Sequence, residues 1–435
     1  MKNSLAIAIE ALSWMAYEGV GERTALFRAS SQLGSTHDEL RQAHRIIMET
    51  TRFRNRIEHL TSNLLSNPSL EHIPHGVQSF LTILVYLKQV EGTEARKLQR
   101  VVSLGRQILG WKVLHPYEEA IGRILTKQST IRPQDEYERV ALETCHSVWY
   151  ARRVMLVFGR NVGLQILQRN LTNVPLYVRA NPLIAPTGLD QQKFKDVVEV
   201  DGLRKVWRLD HLKTLSQQRG AVAAGEVVIQ DLSAVVAGLV ASPLAGDTVL
   251  DVCSAPGNKT SHCAALMGNE GRILSVDVSP ERMVQWSHEM IRTGCLIAEP
   301  IIADASRLEL NVEADVVIVD PPCSNSGVFA KNPSMKWRTT PSRLDSLTTR
   351  QFMILQSSAR HVKSGGTLIY CTCSILPEEN EDVLLNFLHR NPDFHFERQQ
   401  PFLGSPGLKG FNRCQRFYTH LHHCNGYFIA KLRRD

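Results

Sequence analysis

Three short stretches carry side chains that can do chemistry at one edge of a sheet: DVCSAPGNKT (251–260), DPPCS (320–324) and TCS (372–374). They supply a glycine turn, a carboxylate (Asp320) close to a thiol (Cys323), and a second thiol (Cys373). A thiolate can add to carbon 6 of a cytosine, and the resulting enamine has a carbon 5 reactive enough to attack a sulfonium methyl. A carboxyl group hydrogen-bonded to the ring nitrogen or exocyclic amine stabilises the charge that develops. The carbon 5 proton must then leave before the sulfur is expelled, which gives a second group beside the ring a task. The combination points to methyl transfer onto a pyrimidine. Methylation of an exocyclic amine is the rival chemistry, but an aromatic residue normally holds the base there and no covalent nucleophile is required, so Cys373 argues against it.

These residues need strands to hold them. Thr248 to Val252, Arg272 to Asp277, Pro300 to Asp304, Ala314 to Asp320 and Thr367 to Cys371 are five successive strand candidates alternating with helical patterns, the mark of a doubly wound parallel sheet. Gly426 to Leu432 is expected to add a late antiparallel strand. Two prolines directly after the fourth strand fix an extended turn and keep Asp320 and Cys323 at the carboxyl edge. After the first strand, Pro256 and Gly257 turn the chain into a helix expected to start near Lys259, with glycine letting the backbone approach a ligand. The turn has neither GxGxxG nor GxxxxGK[ST], which lowers dinucleotides and ATP as ligands. Asp277 and Asp304 close the second and third strands, where they either meet a ribose diol and an adenine edge or cap the following helices. Cys253, Cys263 and Cys371 read as small buried hydrophobes.

The fold class expected is α/β: a Rossmann-like methyltransferase domain at 226–435, preceded by a small basic α/β linker domain at 151–225 and an all-helical domain at 1–150. Apolar residues at helical spacing (Ile57, Leu60, Leu64; Phe80, Leu81, Leu84, Leu87; Val101, Leu104, Ile108), broken at Pro68, Pro74 and Pro116, define the helical part. Arg41, Arg45, Arg52 and Arg56 recur at spacings that suit one helix face, a solvated face being the plainer reading. In the linker, VPLYVRANPL and DVVEVDGLRKVWRL read as strands.

Composition narrows the partners. Lys plus Arg against Asp plus Glu is 18 to 16 over residues 1–150, 12 to 5 over 151–220 and 20 to 22 over the remainder, so the middle segment supplies the excess of +7, as a footprint for a phosphate backbone would. Between Phe329 and Lys363 seven basic residues face one acidic one, and Trp337 sits between Lys336 and Arg338, an arrangement for stacking a base and neutralising phosphates; the plainer reading packs the indole inward. A base inside an RNA helix would have to be swung out to reach the thiols. Nine cysteines without a CxxC pair form neither a disulfide framework nor a zinc spacing, and no metal is expected at His420, His422, His423, Cys424 and Cys414. Apolar runs such as Val235 to Val240 are too short for a membrane span, and Glu10 interrupts any leader, so a cytoplasmic, monomeric protein is expected.

DVCSAPGNKT, Asp277, Asp304, DPPCS and TCSILPEENE, in that order over roughly residues 160–435, resemble the motifs of the Sun/Fmu family of RNA (cytosine-5-)methyltransferases. The helical N-terminal part resembles, less specifically, the NusB-like RNA-binding domain of the ribosomal RNA branch. The resemblance implies Cys373 as nucleophile and Cys323 as the thiol that assists release, with Asp320 and Lys259 beside them. It also implies an S-adenosylmethionine site formed by Cys253, Ser254, Ala255, Pro256, Gly257, Asn258 and Lys259 with Asp277, Arg282, Asp304 and Asp320. Asn258 and Asn325 stand where the family usually has glycine. Ribosomal RNA of the small subunit is the favoured substrate; transfer RNA, or a noncatalytic role in ribosome assembly, are the alternatives.

Overall fold

The structure is a computed structural model and describes residues 1–64, 73–186, 197–209 and 219–435. The chain forms two compact units, Met1–Leu171 with Asn332–Arg338, and Thr172–Lys331 with Thr339–Asp435.

The first unit is built of helices: α1 (Lys2–Glu18), α2 (Glu22–Leu33), α3 (His37–Arg52), α4 (Arg54–Leu64), α5 (His75–Val85), α6 (Ala95–Leu109), α7 (Trp111–Leu114), α8 (Glu118–Thr126), α9 (Glu136–Thr144), α10 (Val148–Phe158) and α11 (Arg160–Arg169). Thr36 and Glu39 start α3 with a capping box: the Glu39 N–H donates to the Thr36 hydroxyl (3.3 Å) and the Thr36 N–H to the Glu39 carboxylate (3.0 Å). Ile7, Ile47, Ile57, Phe80, Leu84 and Ile124 are buried in the core. A Cβ on Gly105 would lie 2.3 Å from the Phe80 ring, so α5 and α6 approach as closely as they do because α6 has glycine there. Pro74 caps α5 and Pro116 lies in a tight turn, as breaks should, while Pro68 lies outside the described residues. Helices run on to Arg169, beyond the limit at 150 suggested by the sequence. The unit is all-helical among its described residues, as expected.

Two expectations fail in this unit. Arg41 and Arg45 are exposed on α3, but Arg52 ends that helix buried beside Glu49, and Arg56 belongs to α4 after the break at Phe53, so the four share no face. The KWR stretch is not a solvent-facing platform either. The Ser334 N–H and hydroxyl donate to the Glu22 carboxylate at 2.5 and 2.7 Å, Lys336 Nζ to the carbonyls of Cys145 (3.0 Å) and Arg52 (3.4 Å), and Trp337 Nε1 to the Thr51 carbonyl (2.7 Å). Carbonyls in the last turn of a helix lack N–H partners of their own, and the negative end of the helix dipole attracts a cation; Lys336 and Trp337 answer that demand at the ends of α3 and α9. Burial pushes the Lys336 ammonium, 1% exposed, down to about 7.

The second unit holds two sheets. The smaller is antiparallel in the order β2-β3-β1-β4, from β1 (Leu176–Ala180), β2 (Val198–Glu199), β3 (Val206–Leu209) and β4 (Val227–Ile229). The strand segments read from VPLYVRANPL and DVVEVDGLRKVWRL fall here, apart from Asp196, which lies outside the described residues. The larger sheet has β5 (Thr248–Val252), β6 (Arg272–Asp277), β7 (Ala298–Ile302), β8 (Ala314–Val319), β9 (Val362–Thr372), β10 (Phe394–Phe396), β11 (Ser405–Pro406), β12 (Gln415–Phe417) and β13 (Tyr427–Arg434). Its order is β11-β12-β13-β9-β8-β5-β6-β7, with β10 also pairing β13. Strands β5 to β9 are parallel, and β13 joins β9 antiparallel, as anticipated for the late strand. The third strand ends at Ile302 rather than Asp304, and β10 to β12 were not anticipated.

Side chains alternate cleanly across this sheet. Val249, Ile273, Ile318, Ile369, Cys371 and Ile429 enter one core layer with α12 (Leu232–Ala241) and α13 (Asn258–Met267). Leu250, Val276, Val317, Leu368, Tyr370 and Phe428 enter the other with α15 (Pro341–Ala359) and α16 (Glu381–Arg390). Between these in sequence, α14 (Pro280–Thr293) packs Met283, Trp286 and Met290 into the first layer. Both faces are therefore covered, which leaves strand ends as the place for chemistry. No helix among the described residues is long and apolar enough to cross a membrane.

Candidate active site

The carboxyl ends of β8, β5, β6 and β7 lie side by side, and each delivers polar groups. After β5 the chain turns at Ser254–Gly257 into α13, which starts at Asn258. Gly257 has φ +105°, and a Cβ there would meet Met290 Cε at 2.7 Å and Trp286 Cδ1 at 3.0 Å. The turn is fixed from below: the Ser254 N–H donates to the Val276 carbonyl (2.9 Å) and the Ala255 N–H to Asp277 Oδ2 (3.2 Å). Asp277 is 2% exposed and pairs with Arg282 (3.1 Å), whose guanidinium also donates to the Ala255 carbonyl. Its other oxygen accepts the Ser279 N–H (3.1 Å). Beneath the turn Asp251 accepts from the Thr260 hydroxyl (2.6 Å), and burial pushes this carboxyl up to about 6. Asp304 is exposed after β7 and accepts from the N–H and hydroxyl of Ser306 (3.0 and 2.8 Å), so the capping role is the one its contacts display.

The thiols meet. β8 and β9 are parallel neighbours, with Val319 paired to Tyr370, and beyond their ends Cys323 Sγ lies 2.9 Å from Cys373 Sγ. Cys323 is buried and Cys373 half-buried. The contact with Cys373, and then burial, push the Cys323 thiol well above its ordinary value. Asp320 accepts from Lys259 Nζ, which also lies 5.7 Å from the Tyr427 ring centroid. Burial works against the Lys259 ammonium, but the Asp320 carboxylate outweighs it and the group is held above its ordinary value. Burial pushes Cys253 and Cys371 up to about 12 and raises Cys263 as well, which suits their reading as inert thiols.

Two further groups brace this edge. Glu379, fully buried, accepts from the Ser324 N–H (2.7 Å), the Ser324 hydroxyl (2.5 Å) and Gln351 Nε2 (2.9 Å), tying the loop after Cys323 to the loop after Cys373. Asn325, at φ +59°, accepts from Cys373 Sγ (3.0 Å) and donates to the Cys323 carbonyl (3.2 Å). Behind them the buried pair Arg416–Glu381 anchors the same loop, with Arg416 Nη1 donating to the Ile375 carbonyl (2.8 Å). The sequence hinted at Glu379 only through the acidic run of PEENE, and its partners Ser324 and Gln351 sit 55 and 28 positions away.

A nine-stranded sheet with five parallel strands at its centre and one edge, helices on both faces, a glycine turn after the first parallel strand and acids on the neighbouring strand ends define a Rossmann-like methyltransferase. A family model described as 16S rRNA methyltransferase RsmB/F matches residues 238–433. A probable ribosomal RNA small subunit methyltransferase B of Bacillus subtilis is 31% identical over 69% of this chain and 69% of its own length. A tRNA (cytosine(72)-C(5))-methyltransferase of Pyrococcus horikoshii is 32% identical over 58% of this chain and 64% of its own. The crystal structure of PH0851 superposes with a TM-score of 0.84 over 99% of this chain and 98% of its own at 24% identity, a likeness of fold. The chain belongs to the RsmB/F, or Sun/Fmu, family of RNA methyltransferases.

S-adenosylmethionine is the cofactor that this membership brings, and the edge fits it. Asp320, the Ser254–Gly257 turn, Asp277 and Asp304 follow one another along β8, β5, β6 and β7, three strand spacings or about 14 Å, the reach of an extended nucleoside with an amino-acid tail. Ser254 is 7% exposed and its hydroxyl is buried with no partner among the described residues, as expected of a group that awaits a polar ligand.

Proposed function

We propose that the protein methylates carbon 5 of a cytosine in RNA, ribosomal RNA by preference, through a covalent bond between Cys373 and carbon 6 of the base. The observation that carries this reading is the pair of thiols 2.9 Å apart beside the Lys259–Asp320 pair at one strand edge. Bound S-adenosylmethionine would supply an electrophilic methyl on sulfur, with the thioether as leaving group. Cys373, its proton lost to water, adds to carbon 6, and the double-bond electrons move to carbon 5, which takes the methyl. Asp320 faces the ring nitrogen or amine, and Lys259 keeps that carboxylate oriented. The carbon 5 proton then passes to water, its bonding electrons restore the ring double bond, and Cys373 departs with the sulfur–carbon pair. Cys323, kept as a thiol, donates a hydrogen bond to the departing sulfur and so assists release.

Residues Cys253 to Lys259, Asp277, Arg282 and Asp304 hold the donor in this reading. The helical unit, which extends to Leu171, serves RNA binding in this reading, the small antiparallel sheet forms the linker and the nine-stranded sheet with its helices catalyses, with one chain sufficient and the cytoplasm as the place of action. Ribosomal RNA is favoured over transfer RNA because the likeness to the Bacillus subtilis ribosomal relative extends over 69% of the chain, against 58% for the Pyrococcus horikoshii tRNA relative.

Labelled donor and RNA give 5-methylcytosine with the wild type and none with Cys373→Ala; transfer that survives this substitution rejects the nucleophile. Cys323→Ala accumulates protein joined to RNA on denaturing electrophoresis, because addition proceeds while elimination stalls. Free RNA alone in that lane removes the release role.

A further inference from the structure

At the outer side of β13, where β10 and β12 follow one another, the loops 398–402 and 412–413 enclose a groove of about 610 Å³ lined by Arg398, Gln400, Phe402, Asn412 and Arg413 over a floor of Gln399. That volume lies in the range of small-ligand sites. None of these residues belongs to the carboxyl edge. From these walls we infer a second nucleotide-binding subsite, which takes an unpaired nucleotide of the RNA flanking the target cytosine. The inference rests on the RNA reading above and adds a place where a neighbouring base is held.

Phe402 is 40% exposed in the wall of the groove, and a base face is a flat apolar partner that fits its ring. Arg398 is exposed and has no hydrogen-bond or ion-pair partner among the described residues, so its guanidinium is available to a phosphate. Arg413 is exposed and is oriented by a bond from Nη1 to the Phe396 carbonyl (2.6 Å). Exposed amides of Gln400 and Asn412 offer a donor and an acceptor to base edges.

The groove is rigid for a definite reason. Gln399 and Gln415 are buried, and their amides are committed to backbone and to each other. Gln399 Nε2 donates to the carbonyls of Arg413 (2.9 Å) and Ile429 (3.0 Å), and Gln415 Nε2 to Gln399 Oε1 (2.7 Å) and the Pro401 carbonyl (2.8 Å). Gln415 Oε1 accepts the Leu403 and Gly404 N–H groups (2.8 and 3.1 Å). Both walls are thereby fixed before any ligand arrives, which lowers the entropy cost of binding. Ile429 pairs with Cys371, two residues before Cys373, so the floor is tied to the thiol-bearing strand across two strand spacings, about 10 Å. An RNA strand with its target at the thiols can run into the groove with a neighbouring nucleotide.

The test uses the full chain, a fluorescein-labelled single-stranded RNA long enough to flank a target cytosine on both sides, and the same RNA cut back to that cytosine and its immediate neighbours. Phe402→Ala weakens binding of the long RNA about tenfold by anisotropy. Arg398→Ala weakens it several-fold and reduces the slope of log affinity against log salt by about 0.7, the signature of one lost phosphate contact on a single strand. Both raise KM for the long RNA and leave the short RNA bound as by wild type. Long-RNA affinity and salt slope unchanged in both variants overturn the subsite. Weaker binding of the long RNA by both variants, beside a wild type that binds it but transfers no methyl, supports the subsite while rejecting the proposed function.

Discussion

Lys259 and Lys336 are both removed from solvent, and their surroundings drive them in opposite directions. Lys259 lies at the strand edge of the second unit with a carboxylate partner, Asp320, and is held above its ordinary value. Lys336 lies among helix ends in the first unit with carbonyl oxygens as partners, and burial pushes it down to about 7. Carbonyl dipoles offset only part of the cost of desolvating an ammonium, whereas a full opposite charge exceeds it. Burial of a lysine alone therefore says little about function. In the function proposed above, a carboxylate beside it at the edge that carries two thiols serves the chemistry; helix carbonyls around it make a structural plug.

The largest effect should come from breaking the charged pair. Lys259→Met leaves Asp320 without its partner and should lower methyl transfer on the order of 10²–10³-fold, a loss typical of one electrostatic contact at a reacting centre. It should also cost about 3 kcal/mol, because a partly buried carboxylate is left uncompensated. Adding Asp320→Asn to that variant should recover much of the stability and none of the activity. Recovery of both in the double variant, measured with labelled donor and by urea denaturation, would show that the pair is structural like Lys336.

The pH dependence of Lys336 has a definite sign. Its value in the folded protein, about 7, lies below the ordinary 10.5, so between these the unfolded chain carries a proton that the folded one lacks, and stability rises with pH. The gain is complete above about 10.5 and absent below about 7, with a ceiling on the order of 5 kcal/mol at 1.36 kcal/mol per unit. Lys336→Met should flatten the rise in the urea midpoint of the helical unit across that window and leave the protein at least as stable at pH 7. An identical slope in wild type and variant would place the titrating group elsewhere.

What the sequence reveals follows the same division. The thiol edge was legible because its determinants are local: alternating apolar residues write the strands, and Pro321, Pro322 and Gly257 write the turns next to the residues they position. The KWR stretch was misread as an RNA platform because its partners lie 191 to 286 positions away, as carbonyls that no side-chain pattern announces. β10, β11 and β12 are two or three residues long, too short to show a period of two, and the amides of Gln399 and Gln415 that pin the adjoining loops look like surface residues in sequence. Asp304 was placed at a strand end two residues late, since the pairing of β7 with β6 stops at Ile302. The four arginines failed for a similar reason: their spacing continues through Phe53, where the helix does not.

The smallest effect separates the ammonium of Lys336 from the indole beside it. Trp337→Phe keeps the apolar ring but removes the N–H that donates to the Thr51 carbonyl at 2.7 Å, a net loss of about 1 kcal/mol for one hydrogen bond. Stability at neutral pH should fall by that amount, and the pH slope set by Lys336 should persist. A Trp337 that stacked on RNA would behave otherwise, since the smaller phenyl ring would weaken RNA binding while sparing the fold. The structure ties the indole nitrogen to the end of α3, so RNA affinity measured by anisotropy should stay within about twofold of wild type, far from the roughly tenfold loss expected of a stacking residue. A stable variant that binds RNA tenfold more weakly would return this segment to the RNA-contacting surface and erase the contrast between the two lysines' neighbourhoods.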